Sequence, residues 1–231
     1  MGLLSGAAIA MWWDIDGVTQ SEFDDWHTHE HMPERLAVPG FVRGTRWVSV
    51  AEGPRYFVMY EVESVDTIRS GAYLERLNNP TAWSTKMMPH FRNMTRSACR
   101  VRGSFGSGLG GALLTIRFSP DAGRENALLE WLTKSALREL AAKPGMAGAH
   151  VLQSVGLAGI AKTREQELRG GDGSADWILL ANGNDPATVE LLSSSLLSER
   201  ALLQQGAASA QTNCAYLLAH ALTRAELLRS G

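Results

Sequence analysis

The chain has 231 residues, of which 45% are hydrophobic and 20% charged, and its formal net charge is −2. This composition is typical of a globular protein with a buried core, and the charge balance excludes a strongly basic surface for nucleic acid or an anionic membrane. No apolar run approaches the ~20 residues of a membrane span, and the N-terminus lacks the basic start of a signal peptide, so we expect a cytoplasmic protein.

The first predicted elements are a strand and a helix. The stretch "AIAMWWDI" at 8–15 is short and apolar, as expected of a strand. We expect Ser21 to cap the following helix, because acidic residues fill the next turn, and Gly40 to end it. His27 and Glu30 then fall on roughly one face of this helix.

Three further strands and a second helix complete the first half of the chain. The pattern predicts strands at 41–50, 56–62 and 95–103, with a helix near 65–79. This order, β-α-β-β-α-β, is that of a ferredoxin-like unit. A glycine-rich stretch at 104–112 then indicates a short linker.

The second half repeats the same order. Residues 131–145, "WLTKSALRELAAKPG", align without a gap to 26–40 at a shift of 105 residues, with six identities in fifteen. A longer connection at 156–176 is rich in glycine and charge, which predicts an exposed loop. The other predicted elements are strands at 113–120, 146–155, 177–183 and 211–222 and a helix near 186–205.

Together these elements predict an α+β fold with two tandem ferredoxin-like repeats, residues 1–106 and 107–231. A sheet with helices on one face leaves its other apolar face uncovered. We therefore expect the two antiparallel sheets to face one another, to form a single-chain α+β barrel and to enclose a pocket between them. Assembly into a homo-oligomer is left open.

The first-half helix and the strand after it carry a family resemblance. With Trp26-His27 followed by "EHMPERLAVPGFVRGTRW", this stretch resembles the EthD-like members of the dimeric α+β barrel superfamily. Those proteins have a His-x-Pro near the end of the first helix, where this chain has His31-Met32-Pro33. The superfamily includes cofactor-free monooxygenases, polyketide cyclases, lactone isomerases, haem enzymes and ligand sensors. The resemblance therefore implies a ligand pocket and leaves the reaction open.

His27, His31 and Glu30 are the candidate catalytic residues. At the first two of these positions the second half has Leu132 and Ala136, so the fold itself does not require the histidines. Histidine titrates near neutral pH, and a neighbouring carboxylate orients its ring, so the cluster predicts acid–base chemistry in which Glu30 positions an imidazole.

Residues on neighbouring elements are candidates for substrate binding. Arg46 lies in an otherwise apolar strand, where an arginine either reaches solvent or meets an anion, and we expect it to hold an anionic group. His29 is expected to face solvent. The full set of predicted substrate-binding residues is Arg46, Trp13, Tyr60, His90 and Trp47.

We predict no metal and no bound cofactor. The spacing His27-x-x-Glu30-His31 matches the inverzincin pattern, but a catalytic zinc needs a further ligand and a larger scaffold. The predicted function is a cofactor-independent enzyme that uses histidine acid–base chemistry on a small, largely apolar or aromatic carbonyl compound, as an isomerase, cyclase, lyase or monooxygenase. The alternatives are a haem enzyme of the same superfamily and a non-catalytic ligand-binding barrel.

Overall fold

The computed structural model describes residues 2–156, 161–208 and 211–230. Within these ranges eight strands form one closed antiparallel barrel. They are β1 (Ala7–Ile15), β2 (Phe41–Ser49), β3 (Tyr56–Val62), β4 (Phe91–Gly106), β5 (Ala112–Phe118), β6 (Met146–Ser154), β7 (Trp177–Gly183) and β8 (Thr212–Thr223).

Helices connect the strands and cover the outside of the barrel. In the first half they are α1 (Gln20–Trp26), α2 (Met32–Ala37), α3 (Val65–Ile68), α4 (Gly71–Asn78) and α5 (Ala82–Met87), with a π-helical segment at His27–His31 and a 3-10 turn at Met88–His90. In the second half they are α6 (Glu125–Trp131), α7 (Leu137–Ala141), α8 (Arg164–Leu168), α9 (Pro186–Ser193), α10 (Glu199–Gln205) and α11 (Arg224–Ser230), with a second π-helical segment at Leu132–Ala136.

The strand order confirms the predicted ferredoxin-like arrangement. The order around the barrel is β1-β3-β2-β8-β5-β7-β6-β4, with β4 pairing back to β1. Each half therefore supplies four neighbouring strands in the order fourth, first, third, second. The halves join twice, through β2 with β8 and through β4 with β6, so the two predicted sheets are continuous with one another.

The barrel interior is filled with side chains. Interior rings pack against one another, as Trp12 and Phe57 do with ring centroids 4.8 Å apart, and Trp12 Nε1 donates to Thr115 Oγ1. Trp47, Tyr216 and both cysteines belong to the same buried cluster. The prediction of a pocket between two facing sheets is therefore wrong, because bulky side chains from both halves fill this space.

The first helical region begins after a polar N-cap residue and is followed by a turn that contains a glycine. Thr19, rather than the predicted Ser21, is the N-cap, and its side chain accepts a hydrogen bond from the Glu22 amide. The helices end at Ala37 and Ala141, earlier than the predicted Gly40 and its counterpart Gly145. Both glycines lie in the turns before β2 and β6, with φ values of 87° and 81°.

The long connection of the second half is packed against the first half. Helix α8 lies within it, and Thr163 and Glu165 are 3% and 2% exposed. The prediction of an exposed loop at 156–176 is therefore wrong for these two residues, and the Glu165 carboxylate pairs with Arg35 of the first half. Positions 157–160 lie outside the described residues. The predicted linker at 104–112 is also shorter than expected, because β4 continues to Gly106. No helix in the described part of the chain has the length and apolar character needed to span a membrane.

Candidate active site

The histidine cluster forms a single turn of π-helix between α1 and α2. The Met32 amide donates to the His27 carbonyl, five residues back, and in the second half the Leu137 amide donates to Leu132 in the same way. Because the second half has Arg138 where the first has Pro33, the proline does not cause this distortion. Short π-helical segments are frequent at functional sites, and here only the first one carries histidines.

His27 and His31 are neighbours on the buried side of this turn. They are 1% and 8% exposed, and their ring centroids lie 5.6 Å apart. Burial lowers the pKa of His27 well below its usual value, and the charge of Arg46 lowers it further. Burial and the charge of Arg35 do the same to the pKa of His31. Both imidazoles are therefore neutral at neutral pH.

A cavity lies beside these two rings, between the outer face of the first-half strands and the helices that cover it. Its volume is about 30 Å³, room for one or two water molecules. Its polar lining residues are His27, His31, Arg35, Tyr60, Tyr73, Arg96, Glu165 and Arg169, and its apolar ones are Met11, Trp13, Leu77, Met88, Phe91 and Met94. The cavity thus lies on the first-half strands, outside the barrel, and Glu165 and Arg169 of the second half complete its lining.

Aromatic rings pack around the histidines. Trp26 and His31 have centroids 4.5 Å apart, and Phe23 and His27 have centroids 5.7 Å apart. Trp13 stacks on Phe91 at 5.1 Å. A neutral imidazole can be buried among such rings, whereas an imidazolium would lose its hydration there.

Several polar atoms of the cavity-lining residues are buried without a hydrogen-bond partner among the described residues. Buried polar groups are normally paired, so each such atom calls for an explanation. The unpaired atoms are Nδ1 of His27, Nδ1 of His31, Nε1 of Trp13, Nη1 of Arg35 and the Tyr60 hydroxyl. A bound ligand with oxygen atoms would supply partners for this set.

Glu30 makes its hydrogen bonds with helix α5 and its N-cap residue, and not with an imidazole as predicted. Its carboxylate accepts hydrogen bonds from Thr81 Oγ1 at 2.5 Å and Ser84 Oγ at 3.4 Å. Thr81 is the N-cap of α5, so Glu30 ties the π-helical segment to that helix. Its hydrogen bonds therefore go to hydroxyl groups, and the expected contact with an imidazole is not among them.

Arg46 meets an anion of the protein itself. Its Nη1 donates to the Asp24 carbonyl at 3.1 Å, and its Nε lies 3.4 Å from Asp24 Oδ1. The side chain is buried and does not line the cavity. Arg46 thus binds α1 and places a positive charge near His27.

The other predicted substrate-binding residues divide into two groups. Trp13 and Tyr60 line the cavity and are each 2% exposed. Trp47 faces away from the cavity and packs in the barrel interior. His90 is half-buried, and its Nδ1 lies 2.7 Å from the Asp16 carbonyl. Trp47 and His90 therefore do not line this cavity, while His29 is exposed as expected, 3.5 Å from Asp25.

Sequence reasoning missed the charged residues of the cavity wall. Arg35 is 2% exposed and donates through Nη2 to Glu165 of α8, while Arg169 Nη1 lies 3.7 Å from the same carboxylate. Arg96, on β4, donates to the Tyr73 hydroxyl at 3.1 Å. The alignment of the halves could have revealed Arg35, which matches Leu140, but an insertion such as the one with Glu165 has no counterpart to compare.

His220 is a second contribution of the second half to this region. It pairs in register with Arg46 across β2 and β8, and its Nε2 is buried without a partner among the described residues. Its ring lowers the pKa of His27. No group of three or more potential metal-binding side chains occurs anywhere in the residues that the structure describes.

Comparison with known proteins identifies the fold. No family model matches the chain, and no curated protein matches it significantly in sequence. A crystal structure of an anthrone oxidase-like protein superimposes with a TM-score of 0.67 at 12% identity, covering 96% of this chain and 95% of that one. A proposed monooxygenase from Fusobacterium nucleatum gives 0.59 at 8% identity, covering 96% of each chain.

A third structure, a proposed monooxygenase from Lactobacillus acidophilus, gives a TM-score of 0.58 at 6% identity over 95% of this chain and 97% of that one. At such low identities the likeness establishes the fold alone. The chain has the ferredoxin-like α+β barrel fold along its whole length, with the eight strands supplied by one polypeptide.

Proposed function

We propose that the cavity binds a small, largely apolar or aromatic carbonyl compound and that His27 or His31 removes a proton from it. The observation that carries this proposal is a pair of buried histidines, each with an unpaired Nδ1, beside a cavity. The second half has Leu132 and Ala136 at the same positions. The lowered pKa values keep both rings neutral, which is the form that accepts a proton.

The lining supports an aromatic carbon acid as the substrate class. Trp13 and Phe91 offer flat apolar surfaces, and the unpaired Tyr60 hydroxyl and Trp13 Nε1 can donate to a carbonyl oxygen. We propose that Trp13 and Tyr60 contact the substrate. Arg46 and Glu30 are not part of the proposed chemistry, because Arg46 pairs with Asp24 and does not line the cavity, and Glu30 accepts hydrogen bonds from Thr81 and Ser84.

Among the reaction types that begin with such a proton transfer, we favour oxygenation. Removing a proton next to an aromatic carbonyl gives an enolate, which is electron-rich enough to react with molecular oxygen. The names of the similar structures, an anthrone oxidase-like protein and proposed monooxygenases, support this choice. Isomerisation, cyclisation and lyase reactions use the same first step and differ in the fate of the enolate.

An aromatic ligand needs more space than the cavity has. Ligand pockets for drug-sized molecules are about 300–1,000 Å³, against about 30 Å³ here. Met11, Met88 and Met94 line the cavity, and unbranched methionine side chains repack readily. We expect ligand entry to displace these side chains and, for larger ligands, helix α8.

A haem does not fit these residues. The imidazoles could serve as axial ligands, but a porphyrin would also have to displace the buried Trp13 and Phe91 rings, which stack at 5.1 Å. We therefore propose no haem-dependent step and expect the purified protein to be colourless, without stoichiometric zinc. An absorption spectrum and elemental analysis test this expectation, and a Soret band or one zinc per chain would contradict it.

The proposal is tested by proton exchange at carbon. The protein is incubated without oxygen in D₂O with 2-indanone, a two-ring carbon acid, or anthrone, a three-ring one. Exchange is followed by NMR at the CH₂ groups next to the carbonyl of 2-indanone or at the CH₂ group opposite the carbonyl of anthrone. We expect faster exchange than in buffer, and in air the conversion of anthrone to anthraquinone. A protein that binds either compound without accelerating exchange is a binding barrel, and the catalytic proposal is then wrong.

A further inference from the structure

Three of the unpaired atoms at the cavity are hydrogen-bond donors that proton removal does not use. They are Nε1 of Trp13, Nη1 of Arg35 and the Tyr60 hydroxyl. Each of these residues is 2% exposed, so bulk solvent does not reach the unpaired donors. A buried donor without an acceptor costs roughly 1–3 kcal/mol, which a ligand oxygen would recover.

Arg35 is held in place from the second half of the chain. Its Nη2 donates to Glu165, and Arg169 lies on the far side of that carboxylate, 3.7 Å away. Its Nη1 is 3.9 Å from Glu34, beyond hydrogen-bond distance. Burial alone would lower the pKa of Arg35, but Glu165, Tyr73, Glu34 and Tyr60 together raise it above its usual value, so the guanidinium stays charged.

Tyr60 has its space because of a glycine on the neighbouring strand. Gly44 pairs with Tyr60, and a Cβ atom at Gly44 would lie 2.9 Å from Tyr60 Cε1. The second half has Ala149 paired with Ala181 at the corresponding positions. Burial raises the pKa of Tyr60, so its hydroxyl keeps its proton and remains a donor.

We propose that Arg35 and Tyr60, the donor pair, form an oxyanion-binding wall that holds the carbonyl oxygen of the substrate. This inference rests on the proposed function. A histidine accepts the proton, and the donor pair stabilises the oxygen that becomes negatively charged. As the C–H bond breaks, the proton goes to a histidine nitrogen. The electron pair forms the C=C bond of an enolate, and the carbonyl π electrons move to the oxygen. The donor pair stabilises that negative charge where it develops.

The donor pair makes the site selective for a class of ligand. An aromatic compound that carries its negative charge on one oxygen, such as a phenolate or an enolate, should bind more tightly than the same compound when neutral. Arg35 contributes the positive charge of the pair, and Trp13 Nε1 is a third unpaired donor on the same cavity lining.

The test is the titration of bound 4-nitrophenol, a one-ring phenol whose colour reports its ionisation. The pKa of the dye is measured by absorbance, free and with excess protein. We expect binding to lower it by about one unit, a roughly tenfold preference for the phenolate. Because a neutral histidine could also take the phenol proton, the measurement is repeated in the His27→Leu/His31→Ala variant, where we expect the preference to remain.

Two variants remove the donor pair. Tyr60→Phe removes only the hydroxyl and should reduce the phenolate preference several-fold with the fold retained. Arg35→Met with Glu165→Gln removes both partners of the buried ion pair together, so that neither charge is left alone, and should abolish the preference. A thermal melt checks that each variant is folded.

The outcomes separate this inference from the proposed function. If the dye fails to bind, if its pKa does not fall, or if the fall is the same in both donor-pair variants, the oxyanion wall is wrong even if 2-indanone exchanges. If the preference depends on Arg35 and Tyr60 but no carbon acid exchanges, the proposed function is wrong and the wall is an anion-binding site.

Discussion

The two halves of this barrel share a backbone plan and differ in what they bury. At four corresponding positions against the helices, the first half has a polar residue where the second half has an apolar one. The pairs are His27 and Leu132, His31 and Ala136, Arg35 and Leu140, and Tyr60 and Ala181, with all eight residues buried. In the second half the space is core, and in the first it contains a cavity.

The difference also shows how one half depends on the other. Glu165 and Arg169, which line the first-half cavity, belong to the long connection between β6 and β7. His220 reaches the same region from β8. A first half taken alone would lack these groups. The fold therefore supports the site in one half, and the other half supplies part of its charged wall.

The largest expected effect comes from making the first half resemble the second. His27→Leu or His31→Ala should lower the exchange rate of an active carbon acid by ~10²–10⁴-fold, because a general base is lost. The free energy of unfolding should change by only about 1 kcal/mol, since the second half tolerates both residues. Exchange measured by NMR beside a thermal melt tests this.

The exposed histidine of the same turn is the matched control for these variants. His29→Ala removes a side chain that contacts Asp25 at the surface, and it should leave both the exchange rate and the melt unchanged. Full activity in both cavity variants, or unfolding of both, would show that the cluster is not catalytic.

A second variant replaces Arg35, one member of the donor pair, by the apolar residue that the second half has at the corresponding position. Arg35→Leu, the residue found at position 140, should lower the free energy of unfolding by about 3 kcal/mol, because Glu165 is left buried with one partner fewer. Arg35→Leu with Glu165→Leu should recover most of that loss, since both charges are removed. Urea denaturation measures the two variants, and equal stability of the single variant and the natural protein would contradict the prediction.

The reverse change places a histidine in the apolar half. Leu132 is fully buried, so Leu132→His should lower the free energy of unfolding by about 2 kcal/mol, because an imidazole is buried in a packed core. The volume-conserving Leu132→Met is its control and should cost under about 1.5 kcal/mol. Neither should raise the exchange rate. A stable, more active Leu132→His protein would mean that the halves are interchangeable.

The smallest expected effect is on pH dependence. The pKa values of His27 and His31 lie well below their unfolded value near 6.5, so the unfolded chain binds more protons as the pH falls below 6.5. Stability is full above that pH and is lost below it, by up to about 1.4 kcal/mol per pH unit for each histidine.

The His27→Leu/His31→Ala variant should therefore melt with a shallower acid dependence than the natural protein between pH 6.5 and 5. His150, with its pKa lowered to about 4 by burial, remains in both proteins and does not affect the difference. Parallel curves of melting temperature against pH would show that the two histidines are not titrating from a buried, neutral state.

The sequence by itself determined the order of the elements and the part of the chain that differs between the halves. Strands and helices follow from local patterns of apolar residues, and Gly40 and Gly145 mark the turns after α2 and α7, where each adopts a positive φ. Aligning 26–40 with 131–145 was enough to single out His27 and His31, since it compares one fold with itself. The local pattern of each segment and the comparison of the two segments therefore require no knowledge of which residues meet in space.

Only the tertiary structure decided where the cavity lies and what completes it. The apolar character of the two strands predicts that Trp13 and Trp47 are both buried. It does not predict that Trp13 faces the helices and Trp47 faces the barrel interior. Which anion Arg46 meets depends on how α1 packs against the first-half strands. The contact of Glu165 with Arg35, across 130 residues of sequence, depends on how the two halves pack against each other. Long-range pairing of charges leaves no periodic signal, because its partners are neighbours in space alone.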